Sequence, residues 1–151
     1  MAATIDAIYS LKRRGECWIP LFLSSVAAGF PSPADDYLDE CLDLNEHLIQ
    51  HPSATFLVRA RGDSMIGAGI QTGDLLIVDK SLEPSDGDIV IVSVDGQFMV
   101  KRLRRNAGRP RLHAENDKFP QVEVSEESSV EIWGVVLHVI HSPRQHGHRP
   151  G

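Results

Sequence analysis

Two short apolar runs, residues 89–94 and 98–104, stand on either side of Asp95-Gly96. An Asp-Gly pair between hydrophobic runs predicts a type I′ hairpin, because both central residues of that turn need positive φ. The hairpin commits this part of the chain to an antiparallel sheet. A two-residue loop also fixes the register, in which the facing pairs are Val94 and Gln97, Val92 and Met99, and Val90 and Lys101.

Lys101 lies in the middle of the second run of this hairpin. In the predicted register it shares one face of the sheet with apolar side chains only, namely Val90, Val92, Met99 and Leu103. Burial among such side chains disfavours an ammonium and lowers its pKa, which lets a lysine act as a base. A lysine in a strand can equally lie on a solvated face or protect a sheet edge. This segment alone leaves both interpretations open.

Ser64 follows Gly62-Asp63 at the start of a glycine-marked turn. A serine hydroxyl is a poor nucleophile at neutral pH and needs an adjacent base to take its proton. A neutral Lys101 is a candidate for that base. A serine after Gly-Asp is also a common turn residue with no chemical role.

The chain from Thr55 onward has the pattern of strands separated by turns. Besides the hairpin, we expect strands over residues 55–60, 75–78, 111–114, 121–124 and 130–140. The last of these is apolar on both faces, which predicts a central strand or a subunit interface. Gly73-Asp74 and Gly87-Asp88 each open a strand and predict two similar turns. The expected fold is mostly β, a compact and strongly bent sheet over residues 45–142.

The N-terminal part is predicted to be an arm and a linker. Residues 1–28 form the arm, in which apolar residues from Ile5 to Leu11 predict a short amphipathic helix ended by Gly15. Residues 29–44 form the linker, with a short helix that starts after Ser32 and reaches about Leu42. A second short helix, residues 44–50, would be capped by Asp43. Residues 143–151 are predicted to be a disordered tail.

The arm ends at Ala27-Ala28-Gly29-Phe30, which has the character of a cleavage site. Small residues on both sides of the Ala28–Gly29 bond let a backbone approach a nucleophile closely. The prolines that follow hold the chain extended, as a peptidase groove requires.

A secretory signal is the rival interpretation of the same arm. Lys12-Arg13-Arg14 is a basic segment, residues 18–26 are apolar, and Val26-Ala27-Ala28 satisfies the small-residue rule for signal peptidase. Glu16 at the start of the apolar run and Pro20 within it argue against this interpretation.

Composition and residue spacing indicate which partners, compartment and ligands are expected for this protein. The net charge of −6 disfavours a general nucleic-acid surface. Two cysteines, Cys17 and Cys41, fit a reducing compartment, and no apolar run is long enough to span a membrane. The seven histidines show no ligand spacing, so we expect no metal and no cofactor. A local basic cluster is interpreted as a solvated patch, with a polymerase or DNA-filament contact as the alternative; its members are Lys101, Arg102, Arg104, Arg105, Arg109 and Arg111.

Four segments in a fixed order together resemble the LexA/UmuD family of self-cleaving peptidases. They are Gly62-Asp63-Ser64-Met65, the run Gly73-Asp74 to Asp79, Gly87-Asp88-Ile89-Val90, and Val100-Lys101-Arg102-Leu103. The resemblance covers roughly residues 30–141, and residues 43–55 are closest to the UmuD branch. It implies a LexA/UmuD-like peptidase domain in which Ser64 is the nucleophile and Lys101 the general base. It also implies that the backbone amides of Asp63 and Ser64 form the oxyanion hole, and that the chain cuts its own Ala28–Gly29 bond.

The resemblance also carries expectations about biology. Only 28 residues precede the bond, too few for the helix-turn-helix domain of the family's repressors, which favours the UmuD branch. The implied protein is a cytoplasmic homodimer that serves as accessory subunit of translesion DNA polymerase V in the SOS DNA-damage response. Its implied partners are the RecA filament on single-stranded DNA, which stimulates cleavage, and a UmuC-type Y-family polymerase; sequence-specific DNA binding and a membrane are not expected. The alternatives are a β-domain binding module with a vestigial serine and lysine, and the secreted protein.

Overall fold

A computed structural model describes residues 3–10, 15–16, 18–22, 38–119, 122–123 and 130–144. The Ala28–Gly29 bond and the tail beyond Arg144 lie outside the described residues. The chain divides into two compact units, one formed by Met1–Leu11 with His51–Gly151 and the other by Lys12–Gln50. In the part of the chain that the structure describes, no helix has the length and apolar character that crossing a bilayer requires.

The described structure contains ten strands and one short α-helix, together with two single-turn 3-10 helices at Pro52–Ala54 and Ile66–Ala68. In chain order the strands and the α-helix are β1 (Thr4–Ser10), β2 (Trp18–Phe22), β3 (Leu38–Asp43), α1 (Leu44–Leu48), β4 (Thr55–Arg61), β5 (Leu75–Asp79), β6 (Ile89–Val94), β7 (Gln97–Asn106), β8 (Arg109–His113), β9 (Val122–Glu123) and β10 (Val130–Ile140).

The larger unit is one eight-stranded sheet that closes on itself. Its strand order is β1-β4-β5-β10-β6-β7-β8-β9, and β1 also pairs with β7 through Thr4 and Met99. Six strands therefore form a ring, and β8 and β9 extend the sheet beyond it. The mostly β, bent-sheet prediction is confirmed, and the bend is strong enough to close the sheet into a barrel.

The hairpin has the predicted turn and register. Asp95 has φ of 50° and Gly96 has φ of 81°, the positive values that a type I′ turn needs. Val90 faces Lys101 and Val92 faces Met99, as expected. Because side chains alternate along a strand, β7 contributes to two separate groups of buried side chains, with Val100 in one and Leu103 in the other.

β10 is the central strand that its two apolar faces predicted. It lies between β5 and β6 and pairs antiparallel with both. Gly134 permits the close packing against β5, because a Cβ there would lie 2.6 Å from Cγ1 of Val78. The register shifts near this glycine let the strand bend within the barrel.

The predicted helix near the N-terminus is wrong, because residues 4–10 form strand β1. Ala3 and Ile5 pack on the core while Asp6 is exposed, which is the alternation of a strand. The apolar residues of this segment fit both the 3.6-residue period of a helix and the two-residue period of a strand, so their spacing does not distinguish the two. Pairing with β4 decides it, since the ladder satisfies the backbone groups of β1 that face β4.

In the smaller unit the linker is only partly as predicted. Residues 38–42 were expected to end a helix, but they belong to β3, which pairs with β2. The partner strand overrides the local helix signal of the acidic residues. The second helix is confirmed as α1, and the side chain of Asp43 caps it by accepting a hydrogen bond from the Asn45 amide at 3.0 Å.

Candidate active site

Ser64 lies on the turn that follows β4. Gly62 turns the chain with φ of 99°, a conformation that favours glycine. Thr72 holds both sides of this glycine, since its hydroxyl accepts from the Gly62 amide at 2.9 Å and donates to the Gly62 carbonyl at 3.2 Å. Ser64 and the following Met65 are completely buried. The serine hydroxyl therefore lies in a buried turn that has fixed backbone contacts, and not in a solvated loop.

A second set of contacts holds the serine turn from the segment after β8. The amide of Gly67 donates to the carbonyl of Glu115 at 2.7 Å, and Nδ2 of Asn116 donates to the carbonyl of Asp63 at 3.0 Å. Arg102 donates through Nε to the Glu115 carboxylate and so connects this segment to β7. Sequence reasoning missed Glu115 and Asn116. Their only signal was a short polar turn directly after a strand.

The backbone of Ala3 lies directly against Ser64. Its amide donates to Oγ of Ser64 at 2.6 Å, and its carbonyl accepts from the Val100 amide at 3.0 Å. Val100 immediately precedes Lys101. One residue, Ala3, therefore lies between the serine hydroxyl and the strand that carries Lys101.

Lys101 is buried, with only 4% of its surface exposed. It faces Val90 across the hairpin, and the buried side chains on this side of the sheet include Val92 and Leu103. Burial lowers the pKa of the Lys101 ammonium below its ordinary value. Among the described residues no carboxylate forms an ion pair with it, and desolvation is the cause of the lowered pKa.

The interpretation of the basic cluster as a solvated patch needs correction at Lys101, because that side chain points into the protein. Arg102 is partly buried and is engaged with Glu115 and the Gly87 carbonyl. Arg104, Arg105 and Arg109 are exposed, as expected. Alternation along β7 puts Lys101 and Leu103 on one face of the strand and Arg102 and Arg104 on the other.

The two Gly-Asp turns predicted from the sequence are confirmed as similar structures. Gly73 has φ of 95° and Gly87 has φ of 91°. In each turn the aspartate that follows accepts a hydrogen bond at 2.8 Å from the amide three residues earlier, Gln71 for Asp74 and Ser85 for Asp88. These turns fix the starts of β5 and β6.

Two histidines that showed no metal-ligand spacing prove to be partners of buried aspartates. Nδ1 of His141 lies 2.6 Å from Oδ1 of Asp74, and Nδ1 of His51 lies 2.6 Å from Oδ2 of Asp79. The aspartates stand just before and at the end of β5, and both are buried. Burial alone would raise the pKa of Asp79, but hydrogen bonds from Ser81 and His51 outweigh it and hold that pKa below its ordinary value.

The serine turn gives a stability prediction. Gly67→Ala would place a Cβ 2.5 Å from the Glu115 carbonyl oxygen, so the backbone of one segment must move. We expect a loss of about 1–3 kcal/mol in the free energy of unfolding, the usual effect of overpacking. Urea denaturation measures it. Ile66→Ala is the control, because Ile66 is half exposed; equal stability of Gly67→Ala and wild type would show that the contact is not tight.

Comparison with known proteins places this site in a family. Residues 20–137 match the peptidase S24-like family, and the matched region includes Ser64 and Lys101. The chain belongs to the peptidase S24 family. The match includes the end of β2, strands β3 to β9 and most of β10, so the sheet that carries the serine turn and the lysine strand is part of the family resemblance except for β1 and the end of β10.

Individual relatives agree with this assignment. The chain is 49% identical to Protein ImpA of Escherichia coli over 126 residues, which is 83% of this chain and 86% of that protein. It is 46% identical to Protein MucA of Escherichia coli over 121 residues, 80% of this chain and 82% of that protein. It is also 39% identical to the LexA repressor of Aliivibrio fischeri over 128 residues, 84% of this chain and 61% of the repressor. The predicted LexA/UmuD-like family is thereby confirmed.

Proposed function

We propose that this chain is a self-cleaving serine peptidase that cuts its own Ala28–Gly29 bond, with Ser64 as nucleophile and Lys101 as general base. The observation that carries the proposal is the burial of Lys101 on an apolar face of β7, the strand to which the backbone of Ala3 connects Ser64. A lysine held there loses its proton more readily than one in water, and only the neutral amine can accept the serine proton. Membership of the peptidase S24 family supports the same chemistry.

The proposed reaction uses each group twice. Nζ of neutral Lys101 takes the proton from Oγ of Ser64, and the oxygen attacks the carbonyl carbon of Ala28. The amides of Asp63 and Ser64 stabilise the oxyanion that forms, a contribution of about 3–4 kcal/mol for a donor of this kind. The protonated lysine then donates its proton to the departing nitrogen of Gly29. Water, deprotonated by the same lysine, hydrolyses the ester and frees the new carboxylate of Ala28.

The proposed biological role follows from the relatives and the site together. We propose that the shortened chain is a homodimeric, cytoplasmic subunit of an error-prone translesion polymerase with a UmuC-type Y-family catalytic subunit, acting in the SOS DNA-damage response. The RecA filament on single-stranded DNA would stimulate the cleavage. The higher identity to ImpA and MucA, 49% and 46% against 39% to the LexA repressor, supports this branch.

Self-cleavage is tested by incubating the purified chain at neutral and at alkaline pH beside Ser64→Ala and recording intact masses. We expect the wild type to lose residues 1–28, and to do so faster in alkali. The sign follows from the lowered pKa of Lys101, since the fraction of neutral amine rises as the pH increases toward and through that pKa. Ser64→Ala should keep its full mass at both pH values.

Two results would contradict this proposal in different ways. A wild type that stays intact at both pH values, and also with RecA filament, would point to a binding module whose serine and lysine are structural. A Ser64→Ala chain that is recovered from cells with Gly29 as its first residue would point to a signal peptidase and a secreted protein.

A further inference from the structure

An extended segment of the chain, β1, lies beside Ser64 between β4 and β7. We call the space that it fills the groove. β1 pairs antiparallel with β4 along its length, and at its start Thr4 also pairs with Met99 of β7. Ala3, just before the strand, donates to Ser64 and accepts from Val100. This is the arrangement in which a peptidase binds an extended peptide, by adding it as a strand next to the nucleophile.

The segment in the groove resembles the proposed cleavage site in sequence. Residues 1–5 read Met-Ala-Ala-Thr-Ile, and residues 26–30 read Val-Ala-Ala-Gly-Phe. Both are an apolar residue, two alanines, a small residue and a second apolar residue. The structure explains the second alanine, because Ala3 is 1% exposed and packed in the core beside the serine turn, a position that suits a small side chain.

β1 is held by few side chains. Ala3 is buried and Ile5 is partly buried against the core, whereas Ile8 and Tyr9 are exposed by 42% and 38%. The ion pair between Asp6 and Arg61 joins two exposed side chains at 3.9 Å, which contributes little. The strand therefore has the backbone pairing of a bound peptide without the side-chain burial of a core strand, and another segment can replace it.

We propose that the first ten residues occupy the peptide-binding groove as an internal competitor, which the cleavage segment around Ala28–Gly29 must displace before it can reach Ser64. This inference rests on the proposed function, because it takes the groove to be the one in which cleavage occurs. The groove accepts an extended segment with small residues at the nucleophile. The competitor and the substrate are two segments of one chain, so the balance between them sets the rate of self-cleavage.

Ala3→Arg tests the proposal, with Ile8→Arg as the matched control. The arginine at residue 3 cannot fit the buried position and should expel β1, whereas the same change at the exposed residue 8 leaves the anchor intact. If β1 occupies the groove for about nine-tenths of the time, its removal raises the rate of alkaline self-cleavage about tenfold. Where the wild type cleaves itself, a rate in Ala3→Arg that equals or falls below that of Ile8→Arg would overturn the proposal.

A binding measurement separates this inference from the proposed reaction. A fluorescently labelled peptide of residues 24–33 is titrated, by anisotropy, into full-length Lys101→Met chains that carry either Ala3→Arg or Ile8→Arg. We expect about tenfold tighter binding with Ala3→Arg, because the fraction of chains whose groove is free of β1 would rise from about one-tenth to nearly all. Equal affinities, or no binding to either chain, would overturn the inference whatever the cleavage assay shows. If no chain cleaves but Ala3→Arg binds the peptide more tightly, the proposed reaction fails and the groove assignment stands.

Should Ala3→Arg fail to fold, Ile5→Ala takes its place in both assays. It weakens the second anchor of β1 by removing a partly buried side chain and introduces no charge. The expected direction is the same, with a smaller increase in cleavage rate and peptide affinity. No increase in either quantity would overturn the proposal.

Discussion

Lys101→Met should abolish self-cleavage and at the same time stabilise the fold at neutral pH. The first effect is expected because a general base contributes about 10²–10⁴-fold to a rate and no other described lysine is buried. The second is expected because methionine has a similar length and suits the apolar face on which Lys101 lies, without a charge that burial disfavours. Few substitutions that remove activity also raise stability.

The stability effect has a defined pH dependence. Folding lowers the pKa of Lys101, so between its folded and unfolded pKa values only the unfolded chain binds the proton. The wild type therefore loses stability as the pH falls through this interval, and Lys101→Met does not. Each unit of lowering is equivalent to about 1.4 kcal/mol, so the advantage of the variant should grow from alkaline to neutral pH.

Urea denaturation at several pH values between neutral and about 10.5, the ordinary lysine value, measures this advantage. Arg104→Met is the control, because Arg104 is exposed on the same strand and should change neither cleavage nor the pH dependence. Ser64→Ala provides a second comparison, since it should lose cleavage but keep the pH dependence of the wild type. A Lys101→Met chain that still cleaves, or that is less stable than wild type at neutral pH, would contradict a buried lysine base.

The sequence was sufficient to predict the parts of the site that depend on local rules. The Asp95-Gly96 turn requires positive φ, and this fixed the register that places Lys101 opposite Val90. Alternation along the strand then predicted its apolar surroundings. The two Gly-Asp turns and the helix cap at Asp43 were predictable for the same reason, because each depends on contacts between residues close in the chain.

The parts that the sequence did not predict depend on contacts between distant residues. Asn116 reaches Asp63 across 53 positions, and Ala3 reaches Ser64 across 61. No local pattern predicts such pairs. The N-terminal segment is the clearest case, since its apolar spacing fitted a helix and only the free edge of β4 makes it a strand. A local pattern gives an element its propensity, but its partner in the fold decides its structure.

Asp79→Ala should destabilise the larger unit by about 3 kcal/mol, the loss expected when a buried charged hydrogen-bond network is broken. Asp79 is completely buried, and its carboxylate accepts from the amide and hydroxyl of Ser81 at 2.8 and 2.6 Å, with His51 Nδ1 at 2.6 Å. The residue also pairs with Thr55 of β4 and Val135 of β10. Its removal therefore loosens the end of β5 between the two strands that flank it, one of which leads to Ser64.

Acid should remove the stabilisation that the ionised Asp79 carboxylate gives to the wild type. The pKa of Asp79 in the fold is below its ordinary value of 3.8, so the stabilisation is complete above that value and is lost as the pH falls through the folded pKa. The difference in unfolding free energy between wild type and Asp79→Ala should therefore be largest near neutral pH and shrink below about pH 4, the ordinary aspartate range. Asp117→Ala, at an exposed residue, should show no such difference. If the difference in unfolding free energy between wild type and Asp79→Ala were the same at all pH values, Asp79 would stabilise the barrel through packing and not through its charge. Its effect on β5 and on the neighbouring β4, which leads to Ser64, would then be steric.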